Sequence, residues 1–195
     1  MHRDRHRNYA ELAVAHREGV DYRVTALRRG NGIVVAAPHG GRIERGTSEV
    51  ARAIAGEEFD LYLFEGCMPA LNFESLHLTS TCFDEARALA LIGSAHTVLV
   101  VHGVADTGER ALLGGRDRAL AHDIADRLFV RGVAAALGGH RFPGLDPRNL
   151  CNRGRGSAGV QIELSDRLRG GRMQGCVVEA VRAALFAAAA ARREA

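Results

Sequence analysis

The strongest constraint on this chain is a pair of unbroken apolar runs, Ile33-Val34-Val35 and Val98-Leu99-Val100-Val101. A strand with one wet face alternates apolar and polar residues. A continuous β-branched run belongs instead to a strand covered on both faces, as in a parallel sheet packed between helices. Helical patterns do alternate with these runs, so the sequence predicts an α/β fold. The expected strands are 32–37, 61–65, 97–102, 133–137 and 159–164. Thr47 is the expected cap of a helix running to Ala55 and stopped by Gly56, and Asp84 that of a helix to Ile92 stopped by Gly93. Residues 116–131 carry Leu120, Ile124 and Leu128 at helical spacing, and a last helix begins near Gln174 and enters the alanine tail. Residues 138–158 show no periodicity; an irregular stretch of that length before a strong strand reads as a functional loop.

A chain of 195 residues supports one sizeable core and is short for two, so residues 1–195 are read as a single domain. Its first 18 residues are a candidate for a flexible lead-in. They lack the apolar stretch of a signal peptide, and the run 183–191 is too short to span a bilayer. A cytoplasmic location is expected, with lysis as a route of release, and no membrane partner. Cys67, Cys82, Cys151 and Cys176 form no C-x-x-C pair, which argues for free thiols over a thiolate zinc knuckle. The net charge of +3 and the lack of a nucleic-acid motif argue against a nucleic-acid partner. All 26 basic residues are arginine, which together with the alanine usage suggests a GC-rich genome, so each arginine must be read from its position. No pattern fixes an oligomeric state.

Three ionisable groups stand at the carboxyl ends of expected core strands: His39, His102 and Glu163. Sites in open α/β sheets form there. His39 is followed by Gly40 and Gly41, which allow a sharp turn, and Glu44 lies just beyond it. His102-Gly103 repeats the arrangement. Two imidazoles and a carboxylate make a familiar open zinc site with water in the fourth position. Imidazole suits zinc, whereas magnesium prefers oxygen. The same residues could equally be capped strand-end histidines and a solvated loop acid.

The stretch Ala37-Pro38-His39-Gly40-Gly41-Arg42-Ile43-Glu44-Arg45-Gly46-Thr47-Ser48-Glu49 resembles the signature of the poly-γ-glutamate hydrolase family known from bacteriophages. So do Leu61 to Gly66, Leu76 to Thr81 with Phe83-Asp84-Glu85, Val101-His102-Gly103, Asn149 to Gly154, and Gly159 to Leu164, in that order. The resemblance covers about residues 20 to 185. It implies a three-layer α/β/α fold with a mixed, mostly parallel sheet, similar to zinc carboxypeptidases. It also implies a zinc ion bound by His39, Glu44 and His102, with Glu163 as general base. The spacing from His39 to Glu44 is longer than in typical carboxypeptidases, so that wider likeness is by analogy.

The implied reaction is hydrolysis of γ-glutamyl amide bonds by metal-activated water. Arg153, beside Asn152 in the long loop, is the candidate partner for the oxyanion and for a substrate carboxylate. Asn152, Arg42 and Thr79 are further candidates for binding substrate. Arg141, Arg148, Arg153 and Arg155 against Asp146, with Arg42 and Arg45 near the ligands, would make a basic rim for a polyanionic γ-glutamyl polymer. His77, Thr79, Ser80 and Glu65 are candidates for orienting the metal ligands. Two other functions fit the same chain: a zinc amidohydrolase of an N-acyl amino acid or peptidoglycan-like amide, and a phage-associated binding protein without catalysis, such as one for nucleic acid.

Overall fold

The computed structural model describes residues 4–193. Among the described residues, seven strands form one sheet, in the spatial order β1-β3-β2-β4-β7-β5-β6. In chain order the elements begin with α1 (Tyr9–Ala15), β1 (Tyr22–Leu27), β2 (Ile33–Gly41), α2 (Thr47–Ala55) and β3 (Asp60–Gly66). Next come α3 (Asn72–Leu76), α4 (Ala86–Gly93), β4 (Thr97–Val104), β5 (Arg110–Gly115), α5 (Arg118–Val130) and β6 (Ala134–Ala136). The long loop then leads to β7 (Val160–Ser165), α6 (Asp166–Gly170) and α7 (Gln174–Arg193). Strands β3, β2, β4 and β7 run parallel, while β1 and the parallel pair β5–β6 run against them. This is the expected mixed, mostly parallel sheet of a three-layer α/β/α fold of the zinc-carboxypeptidase kind.

The unbroken runs are buried on both faces. Ile33, Val35, Leu99, Val101 and Ile162 pack into one apolar cluster with residues of α2, α5 and α7. Val34, Ala36, Val98 and Val100 alternate with them and pack into a second cluster with Tyr62, Phe64, Phe83 and Leu150. Each such side chain removed from water contributes roughly 1.5–3 kcal/mol before conformational entropy is counted. By length and composition α7 could cross a membrane. Val177, Ala180, Val181, Ala184 and Leu185 nevertheless lie fully buried against the sheet, which is the role of a core helix.

Strands β1 and β5 had no clear sequence signal. Most of β1 is part-exposed, so its residues need not be apolar, and β5 begins on Arg110 and ends on two glycines. The expected Thr47 cap is replaced by Gly46, at φ 90°, where a side chain would strike Arg169. Glu85 caps α4 in place of Asp84 by accepting from the Ala88 N–H at 2.9 Å, while Asp84 accepts from the Tyr9 N–H at 2.7 Å. Within the first 18 residues, Asn8 caps α1 and Leu12 is fully buried in the second cluster.

Candidate functional site

The carboxyl ends of β2, β4 and β7 meet at one edge of the second apolar cluster. The pairing of β2 with β3 shifts register between Ala37 and Gly40. Such an irregularity re-aims the side chain it carries, and here that side chain is His39, only 2% exposed. Gly40 passes so close to the Ser48 hydroxyl that no Cβ would fit, and Gly41, at φ 62°, turns the chain away from the sheet. The turn closes when the Glu44 N–H donates to the His39 carbonyl at 2.9 Å. The Thr47 hydroxyl shares its proton between the carbonyls of His39, at 3.1 Å, and Glu44, at 2.8 Å.

This brings three donor atoms together. His39 Nδ1 lies 3.1 Å from Glu44 Oε1 and 3.1 Å from His102 Nδ1. His102 Nδ1 lies 3.8 Å from Glu44 Oε2. Each group is also held from outside. His39 Nε2 donates to the Leu78 carbonyl at 2.9 Å, which leaves Nδ1 with its lone pair when the ring is neutral. His102 Nε2 is 3.0 Å from the Ser80 hydroxyl, and Glu44 Oε2 accepts from the Gly103 N–H at 2.7 Å.

Burial alone would push the Glu44 carboxyl up, but His39, His102 and the Gly103 N–H outweigh it and hold it at about 2. Burial pushes His39 down, and Glu44 more than reverses this, so His39 is raised. Burial and the neighbouring His39 drive His102 down to about 3. The Glu44 carboxylate therefore favours one positive charge beside it, which a proton on His39 or a metal cation can supply, while His102 stays neutral. The donor set also fits zinc: four ligands at about 2.0–2.1 Å in a tetrahedron lie about 3.3 Å from one another, close to the three separations found here. Outward N–H partners on ligating histidines are the usual companions of such a site.

A second triple, His39, Glu44 and His77, also offers one donor atom from each within 4.8 Å of one another. In it, however, His77 Nδ1 lies 2.8 Å from Asp4 Oδ1, and its ring leans against that of His39 with centroids 4.2 Å apart. In the set with His102 the donor atoms lie 3.1–3.8 Å apart at the strand ends, with Glu44 Oε2 also accepting from the Gly103 N–H.

Glu163 sits on β7 as the register partner of His102, and is 6% exposed. Burial and the nearby Glu44 carboxylate push its carboxyl up to about 8, against the pull of His39, Arg141 and Arg169. Two carboxylates in one site are thus driven in opposite directions, the pattern that separates a fixed charge from a group that exchanges protons. Gln161, two residues earlier on the same face, donates to Glu163 Oε1 at 3.3 Å and accepts from Asn149 at 2.7 Å.

The other expected site residues are placed differently. Arg153 donates to the carbonyls of Arg148, Phe83 and Thr81 at 2.7, 3.1 and 3.1 Å. Asn152 donates to the carbonyls of Gly144 and Asp146 at 2.7 and 2.9 Å. Both frame the long loop, and among the described residues no hydrogen bond brings either to His39, Glu44, His102 or Glu163. Arg42 donates to the Met68 carbonyl at 2.9 Å. It lines an open groove of about 800 Å³ with Arg23, Arg45, Glu49 and Glu65. The exposed Thr79 gives its N–H to Asp4 at 2.6 Å. Glu65 pairs with Arg52 and touches none of the cluster through a hydrogen bond.

Sequence reasoning missed the Leu78 carbonyl and the Gly103 N–H, which are backbone groups with no side-chain signal. It also missed Gln161, which could have been found from the two-residue period it shares with Glu163.

Residues 6–186 match the family model for poly-gamma-glutamate hydrolase. The UPF0714 protein YndL of Bacillus subtilis (strain 168) is 39% identical over 168 residues, which is 85% of this chain and 66% of that protein. The SPbeta prophage-derived UPF0714 protein YoqZ of the same strain is 34% identical over 169 residues, or 85% of this chain and 60% of YoqZ. The chain therefore spans somewhat less than two thirds of these relatives. A solved bacteriophage poly-gamma-glutamate hydrolase superposes with a TM-score of 0.88 at 30% identity, covering 94% of this chain and 97% of that one. A zinc-free apo structure of YndL gives a TM-score of 0.88 at 34% identity, covering 94% and 98%.

Proposed function

The chain belongs to the poly-gamma-glutamate hydrolase family, and from that premise we propose that it hydrolyses γ-glutamyl amide bonds with a zinc ion held by His39, Glu44 and His102. The observation that carries this reading is the convergence of His39 Nδ1, His102 Nδ1 and the Glu44 carboxylate to within 3.1–3.8 Å, each fixed from behind. When bound, zinc supplies a Lewis acid for the scissile carbonyl and lowers the pKa of the attacking water.

The chain's own residues do the rest. Glu44, held ionised, and the two neutral imidazoles present lone pairs in a site largely closed to water. Ser80 and the Leu78 carbonyl keep the rings in the orientation that binding needs. Glu163 takes the proton from the attacking water on its carboxylate and passes it to the leaving nitrogen. Its raised carboxyl makes it a better proton acceptor, and positive charge at the neighbouring cluster favours its ionised form. We assign Arg153 and Asn152 to framing the loop, so that substrate charge must be met by other groups.

The test is release of new amine ends from γ-linked polyglutamate by the purified protein, with α-linked polyglutamate and N-acyl glutamate in parallel. The expected result is cleavage of the γ-linked polymer, abolished by chelator and restored by zinc. Preference for the N-acyl or α-linked substrate would point to a different amidohydrolase. No hydrolysis, with DNA binding insensitive to chelator, would reduce the site to a relic.

A further inference from the structure

We propose that Arg141 is the specificity-determining residue of this site, reading the α-carboxylate of the substrate residue beside Glu163. This inference rests on the γ-glutamyl hydrolase reading above.

Glycines seat the long loop on the sheet. Gly114 pairs with Gln161 and Leu112 with Glu163 across β5 and β7, so Gly114 lies one pleat from the base on the same face. A Cβ at Gly114 would meet the carbonyls of Phe142 and Pro143 at 2.5 and 2.8 Å, so only glycine lets the loop settle there. Gly115 N–H donates to the Pro143 carbonyl at 2.9 Å, and His140 Nε2 donates to the Leu113 carbonyl at 3.1 Å. Gln161 Nε2 lies 3.3 Å from both the Phe142 carbonyl and Glu163 Oε1. The backbone on either side of Arg141 is therefore pinned, and one amide group links it to the general base. The pull of Arg141 on the Glu163 carboxyl agrees with this placement.

The other arginines of the loop are occupied. Arg148 is paired with Asp146 and Arg153 with three carbonyls, while Arg155 reaches His96 at the opposite end of β4. The Arg141 guanidinium lies over the Phe142 ring, its Cζ 4.9 Å from the centroid, and among the described residues no hydrogen-bond acceptor meets it. A guanidinium steadied on an aromatic face with its N–H groups free is suited to a carboxylate, which it can grip in a bidentate fork. A γ-linked glutamyl residue carries one such carboxylate beside the amide that is cut.

The experiment compares a γ-linked glutamate trimer with its α-carboxamide counterpart. Their binding to zinc-loaded Glu163→Gln protein is measured by calorimetry, and kcat and KM are measured in the otherwise wild-type chain. Arg141→Gln is expected to weaken carboxylate binding by about 10- to 100-fold, the scale of a lost charge-assisted hydrogen bond, mainly through KM. The preference for carboxylate over carboxamide should collapse, and Arg141→Lys should recover part of it. A preference unchanged in Arg141→Gln overturns the proposal. Calorimetry separates recognition from the reaction itself: carboxylate preference lost in the variant supports Arg141 even if the wild-type chain cleaves neither trimer, a result that would count against the hydrolase reading alone.

Discussion

The two ends of the site are built differently. At the ends of β2 and β4 every donor group is braced twice: His39 by Leu78 and Glu44, His102 by Ser80 and His39, Glu44 by Gly103 and His39. At the end of β7, the Glu163 carboxyl has, among the described residues, one side-chain hydrogen-bond partner, Gln161, at 3.3 Å. Under the proposed function the difference follows from the two tasks. Ligands must be aligned before a cation arrives, since the cost of ordering them would otherwise weaken its binding. A base that accepts and returns a proton cannot be saturated with donors, because each would favour one protonation state. The first end is a braced cage suited to a cation, and the second is a buried carboxyl raised to about 8.

The largest effects should separate these two ends. In Glu163→Gln, kcat on the γ-linked polymer should fall at least about 1,000-fold, toward the upper range for a general acid–base group, while elemental analysis still finds about one zinc per chain. His102→Ala should lose both activity and zinc. His77→Ala should keep its zinc; if it loses the ion while His102→Ala retains it, the ligand set is the one built on His77. Next in size is Ser80→Ala, which removes one of the two braces on His102. Competition with a chelating dye should show zinc affinity reduced about 10- to 100-fold, with little change in kcat once the site is saturated.

The contrast between the ends also explains what could be read in advance. Strands β2 and β4 were visible because burial on both faces leaves an unbroken apolar run, and their histidines were visible because each is followed by glycine. β1 and β5 were hidden because an edge or glycine-rich strand can be held by its neighbours' backbone with almost any side chains. The bracing was hidden for the same reason. The Leu78 carbonyl and the Gly103 N–H are backbone groups of a kind found all along any chain, and only the fold selects them. Arg153 was ambiguous because arginine beside asparagine in a loop looks the same whether it holds substrate or backbone.

That ambiguity gives a third prediction, of intermediate size. Arg153→Leu strands three carbonyls, those of Arg148, Phe83 and Thr81, and leaves the bond from the Leu150 N–H to the Ser80 carbonyl, at 3.1 Å, to tie the long loop to the segment carrying Ser80. Loss of about 1–3 kcal/mol is expected, seen as a lower urea midpoint. The carboxylate-to-carboxamide preference should stay where Arg141 sets it. A preference lost in Arg153→Leu without loss of stability would return Arg153 to the substrate.

The smallest effect tests how far the bracing extends. Asp4 accepts from the Thr79 N–H at 2.6 Å and lies 2.8 Å from His77 Nδ1, whose ring rests on His39. Burial would raise its carboxyl, but the hydrogen bonds from His77 and Thr79 outweigh this and bring it from 3.8 to about 2. The sign follows from linkage: a carboxyl with a depressed pKa in the folded state contributes stability above its unfolded pKa and loses it as pH falls through the folded one. The ceiling for such a shift is about 2.4 kcal/mol, and partial exposure of the pair reduces the expected value to about 1 kcal/mol. The stability gap between wild type and Asp4→Asn should therefore be full at pH 6 and close as pH drops from about 4 toward 2. Urea unfolding across that range measures it. If the gap is constant with pH, Asp4 is not held as a carboxylate by His77 and Thr79, and the rigid region ends at the Leu78 carbonyl.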